Sequence, residues 1–272
     1  AARSEDIVSS FAAGDISLVD VDLMGTNAPG YSGSYQTWDY ATTDFLYLGL
    51  NTQNGLFRSP EIRQAIAQAV DRTSVVQVDF ARHAVAAALP VHSSSPLYSA
   101  AQALSYDLEK ATAALDAMRV TGRTVTLVAN SENTAKAAAA QRIASQLEAA
   151  GLSVRLSLLS YDNYIGALSA GNFDLYLGQV TLTGDFDLSP LLSSSGSLNY
   201  GRWQDATADV LLSAFQTAQG ENRTKAASDL FSYLNQQAPI VPVCFKNGSV
   251  LTQWGRVSGL SPVRGNVFYQ LE

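Results

Sequence analysis

The stretch from Thr124 to Ser189 decides the fold, because segments of strand and helix character alternate along it. The five segments are TVTLVAN (124–130), SENTAKAAAAQRIASQLEAAG (131–151), LSVRLSLLS (152–160), YDNYIGALSAGN (161–172) and FDLYLGQVTLTGDFDLS (173–189). The first, third and fifth begin as apolar or alternating runs of strand length, and the second and fourth are helical. Strands joined by helices pair in parallel through right-handed crossovers. The stretch therefore predicts an α/β fold.

The longer helical segment carries its own start and stop signals. Asn133, with Ser131 and Thr134 beside it, can accept hydrogen bonds from the free N–H groups that begin a helix. Gly151 tolerates the left-handed conformation that ends one. Apolar residues recur between them at spacings of three and four, namely Ala139, Ile143, Leu147 and Ala150. This pattern predicts one buried helix face.

Ligands of parallel α/β sheets meet the loops at the carboxyl ends of the strands. Two of the loops in this stretch are therefore of interest, Asn130 to Thr134 and Thr181 to Ser189. The candidate ligand site is predicted there.

Composition excludes several classes of function. The 272 residues carry a net charge of −7, with no basic stripe that would neutralise the phosphates of a nucleic acid. No apolar run approaches the roughly 20 residues needed to cross a bilayer. Cys244 is the one cysteine, and His83 and His92 are the two histidines, which disfavours a transition-metal centre. We therefore expect no metal, no cofactor and no nucleic-acid partner.

Composition predicts the structure of the segments before and after this stretch. Residues 27–39 are rich in Gly, Ser and aromatic residues and are predicted to be a loop. Tyr47 to Leu50 predicts a strand ending at Asn51, and Ile240 to Phe245 predicts another. The two chain ends hold too little apolar sequence to form a core alone, so we expect them to pack on something else.

Several segments together resemble the extracellular solute-binding proteins of peptide and nickel ABC importers, the dipeptide- and oligopeptide-binding class. They are FLYLGLNT (45–52), SPEIRQAIAQAVDR (59–72), LPVHSSSPLY (89–98), YDLEKATAAL (106–115), FDLYLGQVTLTGDFDLSPLL (173–192), SLNYGRW (197–203) and APIVPVCF (238–245). The resemblance covers nearly the whole chain, and its strongest pieces are the helix of Arg63 and the turn Thr183-Gly184-Asp185.

The resemblance implies a periplasmic-binding-protein-like architecture of two lobes joined by a hinge. It implies that residues 1–40 are a remnant of the N-terminal lobe, that 41–250 form the hinge strands and the C-terminal ligand-binding lobe with a mixed sheet and flanking helices, and that 251–272 return toward the N-terminal lobe. Most of the N-terminal lobe would then be missing. The implied location is extracellular, as a periplasmic protein or a cell-surface lipoprotein, and the implied partners are a peptide or other small solute and a membrane permease.

Asp185 is the first candidate ligand-binding residue, because its turn follows a sheet strand. In the resembling peptide binders an acidic residue at the matching position holds the α-ammonium group of the ligand, through a charge-assisted hydrogen bond. Asp187 is close enough to share or replace that role. The alternative is that Asp185 only caps its turn or pairs with a surface lysine.

Two departures from the family pattern bear on the ligand. Leu182 stands where peptide binders often have a tryptophan for stacking. The loop 130–133 reads Asn-Ser-Glu-Asn and lacks the arginine with which some dipeptide binders hold the ligand carboxylate. These absences favour a longer peptide, or another cationic or neutral solute, over a free dipeptide.

Four further residues complete the predicted site. Asn130 and Asn51 offer amide groups to a peptide backbone, unless each satisfies its own turn, as asparagine commonly does. Tyr200 and Trp203 can form an aromatic wall, unless they cover the core.

No catalytic motif is present, neither G-x-S-x-G nor a phosphate-binding Gly-Lys loop nor H-E-x-x-H. We therefore predict a binding protein and not an enzyme. The alternative function is an α/β sensor or regulatory module that binds an effector or a partner protein.

Overall fold

The computed structural model describes residues 4–53 and 55–269. Residues 1–3 and 270–272, which belong to the predicted terminal segments, lie outside the described residues, as does Asn54. The strands are β1 (Leu18–Val21), β2 (Tyr35–Leu50), β3 (Ala84–Ala86), β4 (Thr124–Asn130), β5 (Ser153–Leu159), β6 (Leu175–Thr181) and β7 (Ile240–Gln253). The α-helices are α1 (Ser4–Ala13), α2 (Pro60–Ala69), α3 (Arg72–Ser74, continued by a π-helical turn Val75–Asp79), α4 (Leu108–Ala117), α5 (Thr134–Ala149), α6 (Tyr161–Ala170), α7 (Ser189–Leu192), α8 (Ala206–Thr217) and α9 (Glu221–Gln237).

The predicted strand–helix alternation is confirmed. β4 pairs in parallel with β5 on one side and with β6 on the other. Asn133 caps α5, its side chain accepting a hydrogen bond from the backbone N–H of Lys136, and Gly151 follows the helix with a φ of +106°. The four residues of the predicted apolar face are each 0% exposed. Parallel pairing brings the carboxyl ends of β4 and β6 to the same edge of the sheet, which places the two predicted ligand loops there.

Two long antiparallel strands form the middle of the sheet. β2 and β7 pair from Tyr35↔Gln253 to Gly49↔Ile240, and the described strands follow the order β1-β7-β2-β6-β4-β5, with β3 on β7. The predicted loop 27–39 is therefore wrong for Tyr35 to Asp39, which begin β2. The pairing with β7 overrides a composition typical of loops, and Trp38 Nε1 donates a hydrogen bond to Thr252 Oγ1 across it at 2.9 Å.

Helices cover both faces of the sheet. One face packs Leu46, Leu48 and Leu127 against α2, α4 and α5, and the other packs Phe45 and Tyr176 against α6, α8 and α9. Because strand residues alternate between faces, the residues of β2 next to one another belong to different cores. The result is a mixed sheet with flanking helices, as predicted.

The chain ends join this same sheet. β1 pairs with the last residues of β7, and Phe11 of α1, Val19 of β1 and Leu251 of β7 form a small third cluster of buried residues. Among residues 4–53 and 55–269 no helix combines the length and the apolar character needed to cross a bilayer.

Candidate functional site

A cavity of about 170 Å³ lies at the carboxyl ends of β4 and β6. We call it the edge cavity, and the lining residues discussed below are Tyr47, Asn130, Lys136, Tyr161, Tyr176, Gly178 and Tyr200. Typical ligand pockets measure about 300–1,000 Å³. The edge cavity is therefore large enough for one end of a small solute.

Two tyrosines form the floor of the edge cavity. The rings of Tyr47 and Tyr176 meet edge to face, with centroids 5.8 Å apart, and their side chains hydrogen-bond to each other. Burial raises the pKa of Tyr47 to about 12 and that of Tyr176 well above its ordinary value, so both hydroxyls are neutral at physiological pH. Gly178 makes room for them, since a β-carbon there would lie 2.6 Å from Tyr47 Cζ.

Asn130 ends β4 at the cavity wall, and its side-chain amide is only half satisfied. Its Oδ1 accepts a hydrogen bond from the backbone N–H of Glu132 at 3.2 Å, which fixes which end of the amide is oxygen. Its Nδ2 is buried and has no hydrogen-bond partner among the described residues, and the residue as a whole is 6% exposed. A buried donor without an acceptor costs about 1–3 kcal/mol. The amide can therefore receive an oxygen atom.

Lys136 brings a positive charge to the same cavity from the first turn of α5. Its side chain is half-buried, and no carboxylate of the described residues lies within 4.0 Å of its ammonium. Burial lowers its pKa, the neighbouring Lys246 lowers it further, and Glu132 acts in the opposite direction. Glu132 is itself engaged, because its Oε1 accepts a hydrogen bond from the backbone N–H of Tyr161 at 2.8 Å.

Asp185 lies outside the edge cavity, in the turn that follows β6. Its side chain is 57% exposed, and its Oδ2 lies 3.7 Å from Nη2 of Arg223. The same Nη2 donates to the backbone carbonyl of Asp185 at 2.7 Å, and Arg223 stacks on Phe215 at 4.3 Å. The carboxylate thus faces solvent, as the ligand hypothesis requires, but it already has a cation beside it.

Asp187 is used by its own turn. Its Oδ1 accepts from the backbone N–H of Ser189 at 2.9 Å, where α7 begins. Partial burial acts to raise the pKa of this carboxyl, but hydrogen bonds from Ser189 and Gln216 hold the pKa below its ordinary value. Leu182, which precedes this turn, is buried in the core.

The structure brings two of the six predicted site residues together at the edge cavity, Asn130 and Tyr200. Asn51 is 1% exposed, and its Nδ2 donates to the carbonyl of Phe173 at 3.1 Å. Trp203 is 5% exposed and packs in the core, which matches the alternative that it covers the core. The ligand-binding roles of all six residues remain predictions.

Comparison with known proteins identifies the family. Residues 2–201 match the profile described as bacterial extracellular solute-binding proteins, family 5 middle. The chain belongs to this family. A comparison with curated protein sequences gives no significant match.

Solved structures share the fold of this family 5 chain. HbpA2 from Haemophilus parasuis superposes with a TM-score of 0.81 at 21% identity, covering 98% of this chain and 55% of that one. The oligopeptide-binding protein AppA from Bacillus subtilis, in complex with a nonapeptide, gives 0.74 at 19% identity, covering 98% and 57%. NikZ from Campylobacter jejuni, in complex with Ni(L-His), gives 0.71 at 20% identity, covering 94% and 56%. The chain therefore has the architecture of one lobe of the periplasmic-binding-protein fold and spans little more than half the length of these proteins.

Sequence reasoning missed Lys136, although the sequence carries a clue to it. With Asn133 as the cap, Lys136 is the third residue of α5. A cation in the first turn of a helix opposes the helix dipole, which favours anions there. Such a residue is expected where another interaction uses its charge.

Among the described residues no group of three or more His, Cys, Asp or Glu side chains is arranged to hold a metal ion.

Proposed function

We propose that the chain supplies one lobe of the substrate-binding component of an ABC importer, and that a second lobe of the same protein completes the cleft. The family match over residues 2–201 carries this proposal. According to this proposal, a peptide or similar small solute is captured between the lobes outside the cytoplasmic membrane and delivered to a membrane permease. The protein is periplasmic or a cell-surface lipoprotein and performs no catalysis.

The geometry supports a cleft with one wall in this chain. The edge cavity lies where parallel α/β sheets bind ligands, at the carboxyl ends of β4 and β6. Its volume of about 170 Å³ holds only part of a peptide. The remainder of the solute lies outside the cavity, where a closing second lobe covers it by hinge motion.

Native mass spectrometry of the intact protein, purified from its host, tests this proposal by showing which solute travels with it. We expect a peptide or another small solute in the folded protein, released on unfolding. An intact protein that carries no solute and binds none of a peptide library in calorimetry would contradict it.

The half-cleft argument has its own test. One wall makes roughly half of the contacts while the cost of association stays the same, so we expect the 272-residue chain to bind the solute far more weakly than the intact protein. Equal affinities by calorimetry would rule the argument out.

A further inference from the structure

The edge cavity contains two groups that the fold leaves without partners. One is the Nδ2 of Asn130, which is buried and lacks an acceptor among the described residues. The other is the ammonium of Lys136, which has no carboxylate within ion-pair distance in the described part of the chain. Both are hydrogen-bond donors and both line the same cavity. We propose that Lys136 and Asn130 bind a carboxylate of the solute, so that the transported substrate is an anion-bearing molecule whose acidic end enters the edge cavity.

The surroundings of Lys136 explain why a ligand anion and not a protein carboxylate is its counterion. Glu132, the acidic group that attracts it, accepts a hydrogen bond from the backbone N–H of Tyr161 at the start of α6. The carboxylates of Asp22 and Asp44 form ion pairs with Lys246 instead. Two other residues that line the cavity, Tyr47 and Tyr176, are held neutral by burial. Within the described part of the chain, Lys136 is therefore attracted by Glu132 but has no carboxylate within 4.0 Å of its ammonium.

A hydrogen bond fixes the orientation of the Asn130 amide and so determines which of its atoms can bind a ligand. Because the backbone N–H of Glu132 holds Oδ1, the Nδ2 of the same amide is the group left to donate, and Asn130 lines the edge cavity. A carboxylate has two oxygens, so one can accept from Asn130 and the other from Lys136. The carbon atoms next to the carboxylate would meet the partly apolar lining of the cavity, which includes Ile165 and Leu198.

This inference rests on the proposed function and narrows it. It differs from the expectation of a longer peptide, or of another cationic or neutral solute, which was drawn from the missing arginine in the loop 130–133. The cation is present, but it lies on the following helix.

The first experiment tests the site without a transported solute. In the isotopically labelled 272-residue chain, the side-chain amide resonances of Asn130 are followed while sodium acetate is added, with sodium chloride at equal ionic strength as the reference. We expect a saturable shift with acetate only. Lys136→Met and Lys136→Gln should weaken acetate binding at least about 10-fold, as expected for loss of a hydrogen bond to a charged group. Lys225→Met, which removes an exposed lysine of α9, should leave it unchanged.

Asn130→Asp is the complementary variant. It keeps an oxygen for the backbone N–H of Glu132 and replaces the free donor by a negative oxygen, so acetate binding should disappear. Absence of a saturable shift in the unaltered chain, or equal effects of Lys136→Met and Lys225→Met, would overturn the site.

The second experiment separates this inference from the proposed function. Calorimetry of the intact protein compares a short peptide as free acid with the same peptide as carboxamide. We expect the acid to bind about 10–100-fold more tightly, and Lys136→Met to remove that difference. Equal affinities would overturn the inference while peptide binding stands. If neither peptide binds but acetate does, the anion site stands and the peptide part of the proposed function fails.

Discussion

Two regions at the same edge of the sheet differ in whether their charged and polar side chains have partners. In the turn after β6, Asp185 has Arg223 3.7 Å away and Asp187 accepts a hydrogen bond from the backbone N–H of Ser189. At the edge cavity, Lys136 lacks a counterion and Asn130 lacks an acceptor within the described residues. The turn is complete without a ligand and the cavity is not. We therefore expect the ligand end at the unsatisfied groups of the edge cavity and not at the turn of Asp185.

The largest expected effect comes from removing the floor of the cavity. In Gly178→Ala the new β-carbon would lie 2.6 Å from Tyr47 Cζ and 2.9 Å from Tyr176 Cε2, so the tyrosine pair must move. Overpacking of this kind costs about 1–3 kcal/mol, and we expect a value in the upper half of that range together with loss of solute binding. Urea denaturation and calorimetry measure the two effects.

Gly166→Ala is the matched control for this variant. A β-carbon on Gly166 meets no atom within 4 Å, and the residue lies inside α6. Replacing a helix glycine by alanine should stabilise the chain by about 0.5–1 kcal/mol. Similar losses of stability in both variants would show that the packing of the tyrosines is not what makes Gly178 necessary.

A smaller effect is expected from alkaline pH. The pKa of Lys136 in the folded chain lies below 10.5, mainly because of burial. As the pH rises through that pKa the ammonium is lost, and we expect the affinity for a carboxylate ligand to fall about fivefold. Lys136→Arg should extend tight binding to higher pH, because guanidinium stays protonated. If the affinity of Lys136→Met fell with rising pH in the same way as that of the unaltered chain, the role of Lys136 would be contradicted.

Rising pH is expected to change the stability of the chain in the opposite direction to its ligand affinity. Between the folded pKa of Lys136 and its higher unfolded value the unfolded chain binds more protons, so the unfolding free energy of the ligand-free chain rises with pH. The buried Tyr47, whose folded pKa is about 12, destabilises the fold only above the ordinary tyrosine value of 10.0. The comparison with Lys136→Met below pH 10 isolates the lysine.

The smallest effect on stability is expected at the turn. Asp185→Asn removes a carboxylate that is 57% exposed and 3.7 Å from its cation, and such surface pairs contribute about 0–1 kcal/mol. Thermal unfolding should therefore change little. Arg223→Met, which also removes the hydrogen bond to the backbone carbonyl of Asp185, should destabilise the turn more. If Asp185→Asn instead abolishes solute binding, Asp185 holds a ligand cation and the site extends from the cavity to the turn.

The parallel half of the fold could be predicted from sequence because its determinants are local. β4 has the bounds that the run TVTLVAN predicts, and Asn133 and Gly151 begin and end α5 as their chemistry requires. The first residues of β2 could not be recognised in this way. Tyr35 to Asp39 become a strand because β7, about 210 residues later, pairs with them.

The site was predicted less completely, for a related reason. The sheet topology predicts that the loop Asn130 to Thr134 lies at the ligand site, and Asn130 and Tyr200 do line the cavity. Which amide is left unsatisfied depends on tertiary contacts, however, since Asn51 bonds to the carbonyl of Phe173 while Asn130 Nδ2 finds no acceptor among the described residues. Lys136 was readable in principle, because its position in the first turn of α5 opposes the helix dipole.

The most direct test of this account is a crystal structure of the intact protein with its solute bound. We predict an anionic oxygen of the solute within about 2.7–2.9 Å of Lys136 Nζ, with a second oxygen accepting from Asn130 Nδ2. A solute that places an apolar or cationic group in the edge cavity, with Lys136 turned to solvent, would contradict it.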